Sequence, residues 1–257
     1  MLILRVVLTF VIACIAAQSH SATNERSLLA LLKSFSFSLY AKDEKGMATT
    51  RSCIGFTAAE SKNKEIVFYL AAGHCHDVHY LRLQGGEAIM TPLLGVVNDR
   101  GAYDFLYSFF PNCIKREILL PEFTEAKIGG EYYTFGQVEE NDAIARPELA
   151  PLVGSSFKKL GLVTLTLTSI DEDVGLRFSQ VCPTEGCIYR TTPGISGAPI
   201  IDNDGRVVAI FRGFLDFRPE VPLGVSLTHV LPILRSAARA NHVTFEQGRY
   251  CTTTFHH

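Results

Sequence analysis

Gly194-Ile195-Ser196-Gly197-Ala198-Pro199 is the stretch on which the reading of this chain turns. A serine hydroxyl of ordinary acidity is a poor nucleophile. To attack a carbonyl it needs a base for its proton and donors for the oxyanion that forms. Gly194 and Gly197 carry no Cβ, so the chain can turn tightly around Ser196, expose the hydroxyl and aim backbone N–H groups at one point. The apolar run Pro199-Ile200-Ile201 then returns the chain to a sheet. The same hexapeptide also reads as an ordinary glycine turn before a strand. Taken alone, it does not choose between the two.

Two stretches upstream do choose. One is Ala71-Ala72-Gly73-His74-Cys75, the other Asp104-Phe105-Leu106-Tyr107, an aspartate heading a strand-like run. Along the chain the order is His, Asp, Ser, one of the orders in which a nucleophile, its base and the group orienting that base occur. With the three motifs in that order, residues 34 to 240 resemble the chymotrypsin-like (trypsin-like) serine proteases. They are nearest to the bacterial, high-temperature-requirement-type and viral branches of that family. The resemblance implies an all-β protein with two antiparallel six-stranded β-barrels and the site in the cleft between them. It also implies roles: Ser196 as nucleophile, His74 as base, Asp104 as the carboxylate holding the imidazole, and the N–H groups of Gly194 and Ser196 as the oxyanion hole. No cofactor or metal is required. Rival assignments exist. His76 competes weakly as the base, Asp99 competes as the acid, and His76, Asp77 and His79 offer a zinc site of no recognised spacing. Asp104 is preferred to Asp99 because apolar residues follow it, whereas Asp99 sits in a turn-like Asn98-Asp99-Arg100-Gly101.

The chain departs from the family pattern in ways that matter. Ile195 precedes the serine where digestive members carry an aspartate that pairs with a newly cut N-terminal amine, so activation by that ion pair is not expected. By the resemblance, Arg190 falls at the floor of the primary specificity pocket and Arg212 on the strand flanking it. This argues against a preference for Lys or Arg in the substrate. The two arginines either favour an acidic side chain or simply point to solvent. No PDZ-like segment is expected, and the protein is expected to be a monomer.

Bulk properties fit an exported globular protein. Of 257 residues, 47% are apolar, enough for a sizeable core, and the formal net charge of −2 with no Lys/Arg run offers no surface for nucleic acid or anionic membrane. Residues 1–21 have the pattern of a removable signal peptide: Arg5, an apolar run to Ala17, then small and polar residues. The expected location is therefore secreted or periplasmic, with no membrane attachment once the signal is gone and a protein or peptide as substrate. Six cysteines lie beyond Cys14, and an even number in an exported chain points to disulfides. The resemblance implies Cys53–Cys75. Cys182–Cys187 would close a short hairpin, and by elimination Cys113 would meet Cys251.

The rest of the pattern is one of short strands between turns. Residues 22–33 read as a short amphipathic helix, either packed outside the barrel or acting as a propeptide. Residues 34–116 read as the N-terminal barrel, with strands at 34–40, 52–57, 65–70, 80–83, 88–90, 93–97 and 104–110. Residues 117–241 read as the C-terminal barrel and its helix, with a strongly β-branched strand at 163–168 and the helix from Val230, where Pro232 falls in the first turn. Residues 242–257 are a tail. Besides the endopeptidase, two readings remain: a catalytically silent homologue that serves as a binding module, and an esterase using the same three side chains.

Overall fold

The computed structural model describes residues 24–42, 48–61, 64, 66–76, 80–82, 88–90, 103–111, 118–153, 157–182, 186–215 and 218–239. Residues 1–21, the strand expected at 93–97, Asp77, His79, Asp99, Cys113, Cys251 and the tail lie outside them.

Helix α1 covers residues 24–35 and leads directly into β1 (Ser36–Lys42). The helix therefore ends two residues later than the sequence pattern suggested. Ser34 and Phe35 continue a polar–apolar alternation that suits a strand. However, Leu28, Leu32 and Phe35 recur at helical spacing, and all three are buried in one cluster. Burial of that face outweighs the local alternation. Next come β2 (Ala48–Glu60), β3 (Ile66–Ala71), β4 (Tyr80–Arg82), β5 (Ala88–Met90) and β6 (Leu106–Pro111). They form a six-stranded antiparallel sheet in the order β5-β4-β1-β2-β3-β6. The second set is β7 (Glu131–Gly136), β8 (Gly161–Asp171), β9 (Gly175–Val181), β10 (Pro199–Ile201), β11 (Val207–Leu215) and β12 (Arg218–Ser226). It closes into a barrel in the order β10-β11-β12-β9-β8-β7. The protein is mostly strand, as expected, and among the described residues closure into a ring is seen for the second set.

Both faces of the first sheet are buried, and the period of two along each strand decides which residue goes where. Val67, Tyr69 and Ala71 of β3, with Leu106 and Phe110 of β6, join Phe37, Leu39 and Cys53 in a small core. The residues between them, Phe68 and Leu70 of β3 and Phe109 of β6, face the other way. There they meet α1 and the barrel's Ile200, Ala209 and Phe211 in one larger core. One continuous apolar body thus runs from the helix through the junction into the barrel.

Two further helices differ from the sequence expectation. Helix α2 (Glu140–Ala145) follows β7 in a segment whose polar residues carry no apolar periodicity, and none of its residues is buried. Helix α3 spans Leu227–Arg239, so Pro232 lies inside it rather than in its first turn. Pro232 has no N–H for the carbonyl one turn earlier. Burial of Leu227, Val230 and Leu234 against the barrel holds the helix across that missing bond.

Cys53 of β2 bonds to Cys75 across 22 residues, as the resemblance implied. Cys182 and Cys187 are also joined. The first bridge ties β2 to the turn carrying His74. We expect the double variant Cys53→Ala/Cys75→Ala to lose about 3 kcal/mol of stability by the chain-entropy relation for a loop of this size. Urea unfolding with midpoint and slope both fitted measures that loss, because opening the loop also expands the unfolded chain.

Candidate active site

The site is built where the backbones of the two strand sets touch. The Ile54 N–H of β2 donates to the Ser196 carbonyl at 2.8 Å. Gly197 sits at φ +88°, and a Cβ there would lie 2.1 Å from the Ile54 carbonyl oxygen and 2.9 Å from the Ala72 nitrogen. Only glycine lets the chain pass this close with that backbone conformation. On the other side, Gly197 N–H donates to Phe211 O and Phe211 N–H to Ala198 O, each at 2.7 Å. The Ser196 turn is therefore held between β2 and β11.

His74 lies in a 3-10 turn, Gly73–Cys75, that begins where β3 ends. Its backbone N–H donates to Asp104 Oδ1 at 2.9 Å, and its ring Nδ1 meets Asp104 Oδ2 at 2.8 Å. Asp104 is 3% exposed, just ahead of the strand β6 that pairs with β3, so strand register brings carboxylate and imidazole together. An ionised carboxylate only accepts hydrogen bonds. Facing an ionised Asp104, Nδ1 is therefore the donor in this contact, the tautomer that a base acting through Nε2 requires. Cys75, the next residue, brings its sulfur within 4.0 Å of the Ser196 carbonyl. The His74 turn and the Ser196 turn thus lie against each other across the junction. His76 turns instead to the Gly73 carbonyl at 3.3 Å.

Ser196 is 4% exposed. Pro193–Ile195 form a 3-10 turn, and the turn hydrogen bond runs from Ser196 N–H to the Pro193 carbonyl at 3.2 Å. The Ser196 hydroxyl donates to that same carbonyl at 2.8 Å. This modifies the expected oxyanion hole. Of its two expected donors, Ser196 N–H is already bonded to a carbonyl of its own turn. Gln137 lies beneath: its Oε1 accepts from Thr192 Oγ at 3.0 Å, and its Nε2 is 3.2 Å from where a Cβ on Gly194 would be. Ile195 is fully buried in the large core. An isoleucine makes no ion pair, and here it anchors the turn by packing.

The two expected specificity arginines are both engaged by carboxylates. Arg190 Nε is 3.0 Å from Asp142 Oδ2 of α2. Arg212 Nε is 3.5 Å from Asp104 Oδ2, and its Nη1 donates to the Val174 carbonyl at 2.9 Å. Arg190 keeps 44% of its side chain exposed beside Asp142, whereas Arg212, 22% exposed, turns inward toward Asp104. Asp142 lies on a helix that the sequence pattern did not reveal. Arg212 directly follows Phe211, whose backbone holds the Ser196 turn, so its strand position was readable and its partner was not. Gln180 Nε2 donates to the Tyr189 carbonyl at 2.8 Å and lies 2.9 Å from Cys187 Sγ, which fastens β9 and the Cys182–Cys187 bridge to the segment before the Ser196 turn.

No family model and no curated protein matches the chain. Solved structures do. The Rv3671c protease from M. tuberculosis in its active form has 12% identity and a TM-score of 0.52, over 81% of this chain and 82% of that one. The serine endoprotease from Yersinia pestis has 10% identity and a TM-score of 0.55, over 84% of this chain and 66% of that one. Deg5 has 8% identity and a TM-score of 0.57, over 86% of this chain and 96% of that one. At these identities the likeness concerns architecture, and the architecture is the chymotrypsin-like serine-protease fold.

Proposed function

We propose that the chain is a serine endopeptidase that hydrolyses peptide bonds through an acyl-enzyme. The observation that carries this reading is the double grip of Asp104 on His74, by backbone N–H and ring Nδ1. That grip suits the tautomer in which Nε2 is the basic nitrogen, and the His74 turn lies beside the serine turn through Cys75 Sγ and the Ser196 carbonyl. In the first half-reaction Ser196 Oγ attacks the scissile carbonyl and its proton passes to His74 Nε2. The tetrahedral oxyanion collapses, the C–N bond breaks, and the amine leaves with the proton from His74. Water then attacks the ester, gives its proton to His74, and the acid departs as the proton returns to Ser196. Asp104 keeps the tautomer and balances the imidazolium charge.

The oxyanion donors are the N–H groups of Gly194 and Ser196. They become available when the Pro193 carbonyl swings out of the turn, a rotation about one peptide unit. Each such donor contributes about a hundred- to a thousandfold in rate. The substrate is a protein or peptide, and the protein acts as a monomer without a cofactor. Two disulfides among the described residues support an oxidising compartment, secreted or periplasmic, reached through a signal at residues 1–21.

One observation favours a second reading. A Pro193 carbonyl that holds both Ser196 N–H and Ser196 Oγ would also suit a silent homologue that binds peptides without cutting them. A fluorophosphonate probe separates the two. On the endopeptidase reading Ser196 is covalently labelled, labelling is lost in Ser196→Ala, and the protein cleaves members of a peptide library internally. If Ser196 is never labelled, the silent homologue is the correct reading. Labelling with turnover of simple esters and no peptide cleavage would instead assign an esterase.

A further inference from the structure

We infer that Arg212 is a positioning residue: it ties the nucleophile turn on one strand set to the His74–Asp104 pair on the other. The inference rests on the endopeptidase reading and deepens it. Three contacts carry it. The residue before Arg212, Phe211, holds the nucleophile turn through both of its backbone groups, to Gly197 and to Ala198, at 2.7 Å each. The Arg212 guanidinium then reaches across to Asp104, with Nε 3.5 Å from the same Oδ2 that receives the His74 ring. Its other arm is fixed on the Val174 carbonyl at 2.9 Å, at the turn between β8 and β9. A backbone segment and a two-armed side chain thus connect Ser196 with the carboxylate that orients its base.

The chemistry suits arginine. Asp104 is almost fully buried, with a side-chain exposure of 4% against 22% for Arg212. A buried carboxylate is costly without a nearby opposite charge. A planar guanidinium satisfies it while its remaining nitrogens hold a second acceptor, which an ammonium cannot do from one position. This use of the side chain is incompatible with the substrate role implied by the resemblance, because the cation that would meet an acidic substrate is already committed.

The experiment compares wild type, Arg212→Gln and Arg212→Lys in the full chain. It measures fluorophosphonate labelling rate, kcat and KM on peptides with acidic, neutral and basic side chains before the cut, and thermal midpoint. The probe has no side chain for a specificity pocket to read. For Arg212→Gln we expect labelling slower by about ten- to a hundredfold, the scale of a lost charge-assisted contact. We expect kcat to fall by the same factor for every peptide, with KM unchanged. Arg212→Lys restores part of the rate, because the charge remains while the Val174 arm is lost. Should Arg212→Gln fail to fold, Arg212→Lys decides alone: an intermediate labelling rate supports the tie and a wild-type rate overturns it. Labelling of Arg212→Gln at the wild-type rate, or a rise in KM confined to acidic peptides, overturns the tie and returns Arg212 to substrate binding. An unlabelled wild type is a different failure, since it removes the endopeptidase reading itself and the tie with it.

Discussion

Asp104→Asn is expected to lower kcat by about four orders of magnitude while leaving the fold in place. Asp104 receives two hydrogen bonds from one residue, His74 N–H and His74 Nδ1, at 2.9 and 2.8 Å. An amide of the same shape offers one oxygen and one NH2. If the oxygen takes the backbone N–H, the NH2 faces Nδ1 and forces the ring proton to Nε2. The imidazole then presents a donor where a base is required. In the template triad this wrong tautomer costs about 10⁴ in rate. The NH2 would also face the Arg212 guanidinium, which has no lone pair to offer. The test is steady-state hydrolysis of a good peptide substrate, with near-UV circular dichroism to show that the fold persists. A loss below about tenfold would mean that Asp104 does not orient the base.

Gly197→Ala is expected to be the most damaging single-methyl substitution in the described residues of the junction. Two costs add there. The backbone holds φ +88°, a left-handed conformation that a side chain disfavours, and the new Cβ would lie 2.1 Å from the Ile54 carbonyl oxygen. That oxygen is backbone on a central strand, so it cannot move aside cheaply. Strain and overpacking together amount to about 3 kcal/mol or more. Relief requires the two strand sets to separate, which also breaks the Ile54–Ser196 hydrogen bond and displaces Ser196. We therefore expect a lower urea midpoint together with loss of fluorophosphonate labelling. A variant of wild-type stability would show that the strand sets do not meet at this point.

Much of the fold was readable because strands announce themselves through side-chain chemistry. The Val163–Thr168 run alternates β-branched and apolar residues and lies wholly within β8, and Asp202 caps a tight turn by accepting Asp204 and Arg206 N–H groups. Residues 74 and 104 were singled out for another reason: the Ala71–Cys75 motif and the chain order His, Asp, Ser resemble those of a known family, and apolar residues follow Asp104. What escaped lay in contacts between distant segments. Phe35 belongs to a helix because of what it buries, not because of its neighbours in sequence. Helix α2 has no apolar face to leave a period. Arg190 and Arg212 were recognised as charges near the site, but a charge does not state its partner. The conformation of the Pro193 peptide is a property of two dihedral angles, and many sequences with glycine at 194 permit either orientation.

That peptide has a consequence for how such a protein would be kept in check. If the resting turn folds its own carbonyl into the space meant for the reaction's negative charge, latency needs no cleavable leader and no salt link to a new terminus. Ile195 has no carboxylate with which to form such a link, and its side chain is buried in the large core. Every 1.4 kcal/mol favouring the closed turn divides the competent population by about ten. Any peptide that binds only the open form draws that population back, so the cargo itself acts as the trigger.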